Sequence, residues 1–287
     1  MTVTPEATRR MTSRQADADF FRFAEHDTLD PEAVVDVLHG RIYGAVFRGE
    51  IDDDARQEVL RRFWESPARK SRSGEVCESQ GSYVGAYHYH KPTKQYLDEA
   101  AEIRGYLDSV LDVPNEPSKM FRSALAARLA KEGVTFRISQ QDGREGCPLL
   151  IRHWNAPGEF ALQPHDDASQ LRHPAQAGFE IQRTPAYTVA AVNMCLENGE
   201  GGRLVAWNID PDEESKTELG LEISGSPYPV EALEGFETLR LDVRQGDIYV
   251  FDGGFVHGVE ASVGDSKRTT MAWNMGFCDD RTVVSWT

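Results

Sequence analysis

The chain has 287 residues, 40% of them hydrophobic and 9% aromatic, which supplies a globular core and excludes a fibre or a disordered tail. Lysine and arginine number 31 against 47 aspartates and glutamates, and the net charge of −16 excludes the basic surface that a nucleic-acid or anionic-membrane binder needs. A small molecule is the expected partner.

No apolar run is long enough to cross a bilayer, and the polar start, with Arg9, Arg10 and Arg14, lacks a signal-peptide core, so a cytoplasmic protein is expected. Residues 1–19 read as a flexible tail. Cys77, Cys147, Cys195 and Cys278 lie far apart without CxxC spacing, which predicts reduced and mostly buried thiols. Homodimerisation is left open.

Residues 20–133 read as mostly helical. Asp30 before Pro31 is an N-cap followed by proline at the first helical position, leading to Val34, Val35 and Leu38. Asp52 and Asp53 open a second helix through Val59, Leu60 and Phe63, stopped by Pro67. A third runs from about Thr93 to Leu111 with Tyr96, Leu97, Ala100, Ile103, Leu107 and Leu111 on one stripe, and a fourth opens at Pro117 with Phe121, Leu125 and Leu129. Ile42 to Phe47 is a candidate strand.

From residue 134 to 287 short apolar or alternating runs are separated by Gly, Pro and Asp, the pattern of an antiparallel sheet fold. The candidate strands are Val134–Ser139, Leu149–Asn155, Ala186–Leu196, Arg203–Asn208, Glu237–Asp242, Asp247–Phe251 and Thr269–Phe277. Asp210 to Leu221 and Ser224 to Glu234 read as loops over a mouth. The whole is expected to be one domain, a β-sandwich or barrel braced by helices.

Within Pro164-His165-Asp166-Asp167, residues two apart share a face if the backbone is extended, so His165 and Asp167 can grip one metal while Asp166 points away. A second element, Gly246-Asp247-Ile248-Tyr249-Val250-Phe251-Asp252-Gly253-Gly254, is a strand and glycine turn that presents His257, 92 residues after His165. Two imidazoles and one carboxylate make the facial triad of non-haem Fe(II), with three coordination positions left open. Arg268 begins a third element, in which Arg268, Thr270, Ala272 and Asn274 share a small or polar face opposite Met271, Trp273 and Met275. Facing inward, that guanidinium pairs bidentately with a carboxylate.

His165-x-Asp167, His257 and Arg268, in this order, resemble the signature of the Fe(II)/2-oxoglutarate-dependent oxygenases. Leu150-Ile151-Arg152, Glu200-Gly201-Gly202-Arg203-Leu204-Val205, Gly246-Asp247-Ile248 and Ser285-Trp286 extend the likeness to the welwitindolinone-type carrier-independent halogenases and the N-succinyl-amino-acid hydroxylases. The resemblance implies a double-stranded β-helix (jelly-roll, cupin-like) core in an α+β chain, Fe(II) on His165, Asp167 and His257, and 2-oxoglutarate held by Arg268 and converted to succinate and CO2 with O2. Halogenating members carry glycine at the position of Asp167, where it makes room for chloride. The carboxylate here implies hydroxylation of an unactivated C–H of a free small molecule, an amino-acid derivative or specialised metabolite. A halogenase-like or other oxidative tailoring enzyme, and a non-catalytic cupin-like binding protein, are the alternatives.

Arg152 is a second candidate for the co-substrate carboxylate or an acidic substrate, and equally fits an outer ion pair. Asn193 can reach the co-substrate or a backbone partner inside the sheet, and Asn274 shares that ambiguity. The resemblance places Gly81 to His90 against the substrate, with Tyr83, Tyr87 and His88 as candidate contacts. His88 and His90 have metal-like spacing without a neighbouring carboxylate. Trp207 and Trp273 read as core or lid aromatics, and His26, His39, His153 and His173 as solvated or packed.

Overall fold

The structure, a computed structural model, describes residues 11–72, 81–154 and 158–287. The four helices read from capping and periodicity are present at Pro31–Leu38, Asp53–Glu65, Thr93–Leu111 and Pro117–Ala130. Asp30 accepts from Glu32 N, and Asp52 from Ala55 N, each satisfying a helix-start N–H that has no partner within the helix. The Thr93–Leu111 stripe buries Tyr96, Leu97, Ala100, Ile103 and Leu107 as expected, with Val110 rather than Leu111 closing it.

Most of the described strands form two facing sheets. In the large one the order is Phe23–His26, Gly44–Phe47, Ile248–Asp252, Ala190–Glu197, Arg268–Asp279, Leu150–Trp154, Gly81–Val84 and Lys70–Arg72. Thr282–Trp286 pairs with Arg268–Asp279 on one side and Thr135–Ile138 on the other. The small sheet runs Phe160–His165, His257–Glu260, Leu204–Trp207 and Thr238–Leu241. Together they make the jelly roll, with the helices against the outer face of the large sheet.

Alternation sorts the large sheet's side chains into two cores. Val192, Met194, Val250, Met271, Trp273 and Met275 join Val34, Val59, Phe63, Phe121 and Leu125 of the helices. Ala191, Cys195, Tyr249 and Phe251 meet Leu204, Ala206 and Leu241 of the small sheet.

Three expectations are corrected. Residues 20–133 are not only helical, because their four strands extend the large sheet at both edges. The segment expected to be a tail is held from Met11 onward: Met11 is buried and Ser13–Arg14 pairs with Asp210–Pro211. The stretch Asp210 to Leu221 is not a loop. Its Glu213–Leu219 is a helix, capped by Asp212, with acidic Glu213 and Glu214 in the first turn and Gly220 left-handed at φ 69° after the last. Cys147, Cys195 and Cys278 are buried free thiols, while Cys77 lies outside the described residues.

Candidate active site

His165 and His257 stand directly opposite each other on neighbouring strands of the small sheet. Pro164 is tolerated because its strand is the sheet edge. Asp167 follows in the next turn, its N–H donating to Gly253 O at 2.8 Å. The carboxylate faces both rings at their Nε2 atoms, Oδ1 3.7 Å from His165 Nε2 and Oδ2 3.6 Å from His257 Nε2. Among the described residues these three make the one cluster of metal-ligating groups, all ligand atoms lying within 4.8 Å of one another.

Both Nδ1 atoms face a carbonyl two residues back, His165 to Gln163 O at 2.8 Å and His257 to Phe255 O at 2.9 Å. A carbonyl only accepts, so each Nδ1 carries the hydrogen and each Nε2 turns a lone pair inward. Burial, reinforced by His257, pushes His165 down to about 3, which keeps the imidazole neutral. Two imidazoles whose Nε2 atoms converge, together with a carboxylate, are the donor set of ferrous iron.

Gly253 makes the carboxylate's position available. A Cβ there meets Asp167 Oδ2 at 2.7 Å and Val189 O at 3.2 Å. Gln170 Nε2 donates to Asp167 Oδ1 at 3.0 Å, a contact for which the sequence offered no signal beyond proximity. Asp166 points away from the triad but not into solvent: it is fully buried and accepts from Ser169 N, Ser169 Oγ and Tyr228 OH, with Lys216 Nζ 3.6 Å away.

A cavity opens in front of the triad. The large sheet contributes Arg152, Asn193, Tyr249, Ala272 and Asn274 to its lining, so the polar face of the Arg268 strand looks inward as expected. Arg152 Nη2 donates to Asn193 Oδ1 at 3.3 Å, and its guanidinium lies 5.0 Å over the Trp154 ring. Arg268 is behind this lining, 1% exposed, donating to Gly202 O at 2.9 Å and to Tyr249 OH at 2.6 Å. Its Nη1 is buried with no protein partner among the described residues, which fits a carboxylate supplied by a ligand. Gly202 is required by this arrangement: its φ is 63° and a Cβ there meets Arg268 Cδ at 2.9 Å.

Of the expected substrate contacts, Tyr87 and His88 line the cavity, together with Tyr89. Tyr83 is not part of that lining and packs edge-on against Tyr87 at 5.5 Å. Ser224 and Ser226 line the mouth as expected of their loop. Trp207 and Trp273 are buried core residues, and His153 packs edge-on against Trp64.

Residues 20–286 match the family model described as carrier-protein-independent halogenase WelO5. The chain belongs to that family. A curated relative, the L-isoleucine 3(1)-dioxygenase of Pantoea ananatis, is 31% identical over 233 residues, 79% of this chain and 76% of its own. Among solved structures, an N-substituted L-amino acid dioxygenase from Burkholderia ambifaria superposes with a TM-score of 0.54 at 14% identity, covering 90% of this chain and 91% of that one. The same type of enzyme in complex with alpha-KG gives a TM-score of 0.52 at 14% identity and the same coverage. With its triad and jelly roll, this member of the family is an Fe(II)/2-oxoglutarate-dependent dioxygenase. No described helix is long and apolar enough to cross a membrane.

Proposed function

We propose that the enzyme hydroxylates an unactivated C–H bond of a free amino acid or an N-substituted amino-acid derivative. The observation that carries this reading is the Asp167 carboxylate facing the Nε2 atoms of both imidazoles, because it occupies the position a halogenase leaves to chloride. The dioxygenase relative, named for L-isoleucine, supports the substrate class.

His165, Asp167 and His257 would hold Fe(II), Arg268 Nη1 the far carboxylate of 2-oxoglutarate, and Asn193 would steady Arg152 beside it. Bound ferrous iron with 2-oxoglutarate and O2 supplies the oxidising power, and the co-substrate leaves as succinate and CO2. The protein orients the substrate. Leu150, Leu162, Phe251 and Val259 place apolar wall around the triad, suited to an alkyl group that has no hydrogen-bonding handle, whereas Arg152, Asn274 and the two serines provide polar contacts. The reading requires neither nucleic acid nor a membrane, and it places the reaction in the cytoplasm.

The test is succinate release and product mass with Fe(II), 2-oxoglutarate, O2 and a panel of amino acids and N-acyl amino acids. A gain of one oxygen, abolished in Asp167→Ala and His257→Ala, is expected. Undiminished turnover in either variant, or a chlorinated product from the wild type in chloride buffer, overturns the reading.

A further inference from the structure

Besides the two triad histidines, the cavity is lined by His88, an imidazole whose hydrogen-bonding sense is also decided by its neighbours. Gln176 is fully buried, and its amide nitrogen donates to two backbone carbonyls, His88 O at 2.7 Å and Lys91 O at 2.9 Å. Both amide hydrogens are committed, so flipping the amide loses both bonds. Gln176 Oε1 therefore faces His88 Nδ1, at 3.1 Å. Only an N–H completes that contact, which places the ring hydrogen on Nδ1 and a bare lone pair on Nε2.

His88 is 3% exposed, lines the same cavity as the triad, and has no partner for Nε2 among the described residues. Burial drives the ring down to about 4, so near neutral pH it accepts at Nε2 and does not donate there. The two aspartates in the lining have other partners. Asp166 is taken by Ser169, Tyr228 and Lys216, and Asp167 belongs to the triad. A substrate N–H thus meets an uncommitted acceptor at His88.

Resting on the amino-acid reading above, we propose that His88 Nε2 accepts a hydrogen bond from an N–H of the substrate, so that His88 selects molecules bearing an amine or amide nitrogen. Gln176 is the positioning residue that holds the tautomer.

The experiment measures binding of L-isoleucine, N-acetyl-L-isoleucine and 3-methylpentanoic acid to the anaerobic Mn(II)–2-oxoglutarate enzyme by calorimetry. The first two offer an ammonium or an amide N–H, and the third offers neither. The wild type is expected to bind one of the first two at least about tenfold more tightly than the third. His88→Phe is expected to erase that preference with 2-oxoglutarate affinity unchanged, and His88→Gln, whose amide oxygen restores an acceptor, to recover part of it. Equal affinity of the wild type for all three probes, including absent binding, overturns the proposal, as does full preference in His88→Phe. Should His88→Phe not fold, the wild-type comparison and His88→Gln decide. Failure of the wild type to bind 2-oxoglutarate at all would instead strike the proposed function.

Discussion

His165, His257 and His88 share one device: a buried oxygen facing Nδ1 sets which nitrogen of each ring carries the hydrogen. At the first two the inward lone pairs meet the Asp167 carboxylate, whereas His88 is outside that cluster among the described residues. Glycine matters on the same scale. Gly253→Ala is expected to displace the Asp167 carboxylate and weaken Fe(II) or Mn(II) affinity about 10–100-fold, as read by metal titration, while leaving the far-UV spectrum unchanged. Tyr249→Phe removes the hydroxyl to which Arg268 donates, and a lost bond to a charged group costs about 1.5–3 kcal/mol, so 2-oxoglutarate affinity should fall at least about tenfold. Unchanged affinity would show that Tyr249 does not hold the guanidinium in place.

Between elements, Asp166 bolts the mouth loop to the metal-binding turn. Its N–H donates to Gly225 O at 2.9 Å, its carboxylate takes Tyr228 OH, and Tyr228 N–H donates to Pro164 O at 2.8 Å. The same carboxylate is the counter-ion of buried Lys216 on the helix Glu213–Leu219, and removing one member of a buried pair costs about 3–5 kcal/mol. Asp166→Asn should therefore lower the melting temperature markedly and raise KM for the oxidised substrate more than for 2-oxoglutarate; equal changes in the two KM values would argue against a loop-positioning role. That helix is masked in the sequence because Glu213 and Glu214 look like a solvated acidic run. Asp212 before them and Gly220 after them were the legible signals. The strands Phe160–His165 and His257–Glu260 escaped for a different reason: one carries Pro164, the other Gly258, and each is short, so neither shows alternation on its own.

For the molecule as a whole, burial of neutral His88 makes stability depend on pH. Burial holds the folded-state ring at about 4, below the ordinary imidazole value of about 6.5, so the unfolded chain binds the extra proton between them. This contribution is fully present above about pH 6.5 and is lost as pH falls toward 4, at up to about 3 kcal/mol. Denaturant unfolding at pH 7 and pH 4.5 should show a steeper loss in wild type than in His88→Phe, and parallel losses would refute a neutral buried ring. Much of the protein was legible in its sequence. Caps, the four helices, the inward face of the Arg268 strand and the ligand types at His165, Asp167 and His257 are written within a few residues, because helix and strand periodicities and capping are short-range physics. What only the tertiary structure decided is long-range. Pairing His165 opposite His257, seating Asp167 over Gly253, placing Arg268 behind Tyr249 and setting the His88 tautomer through Gln176 all depend on register and packing between segments far apart in the chain. No local pattern encodes that register. It follows from which faces the two sheets and the helix layer must bury together.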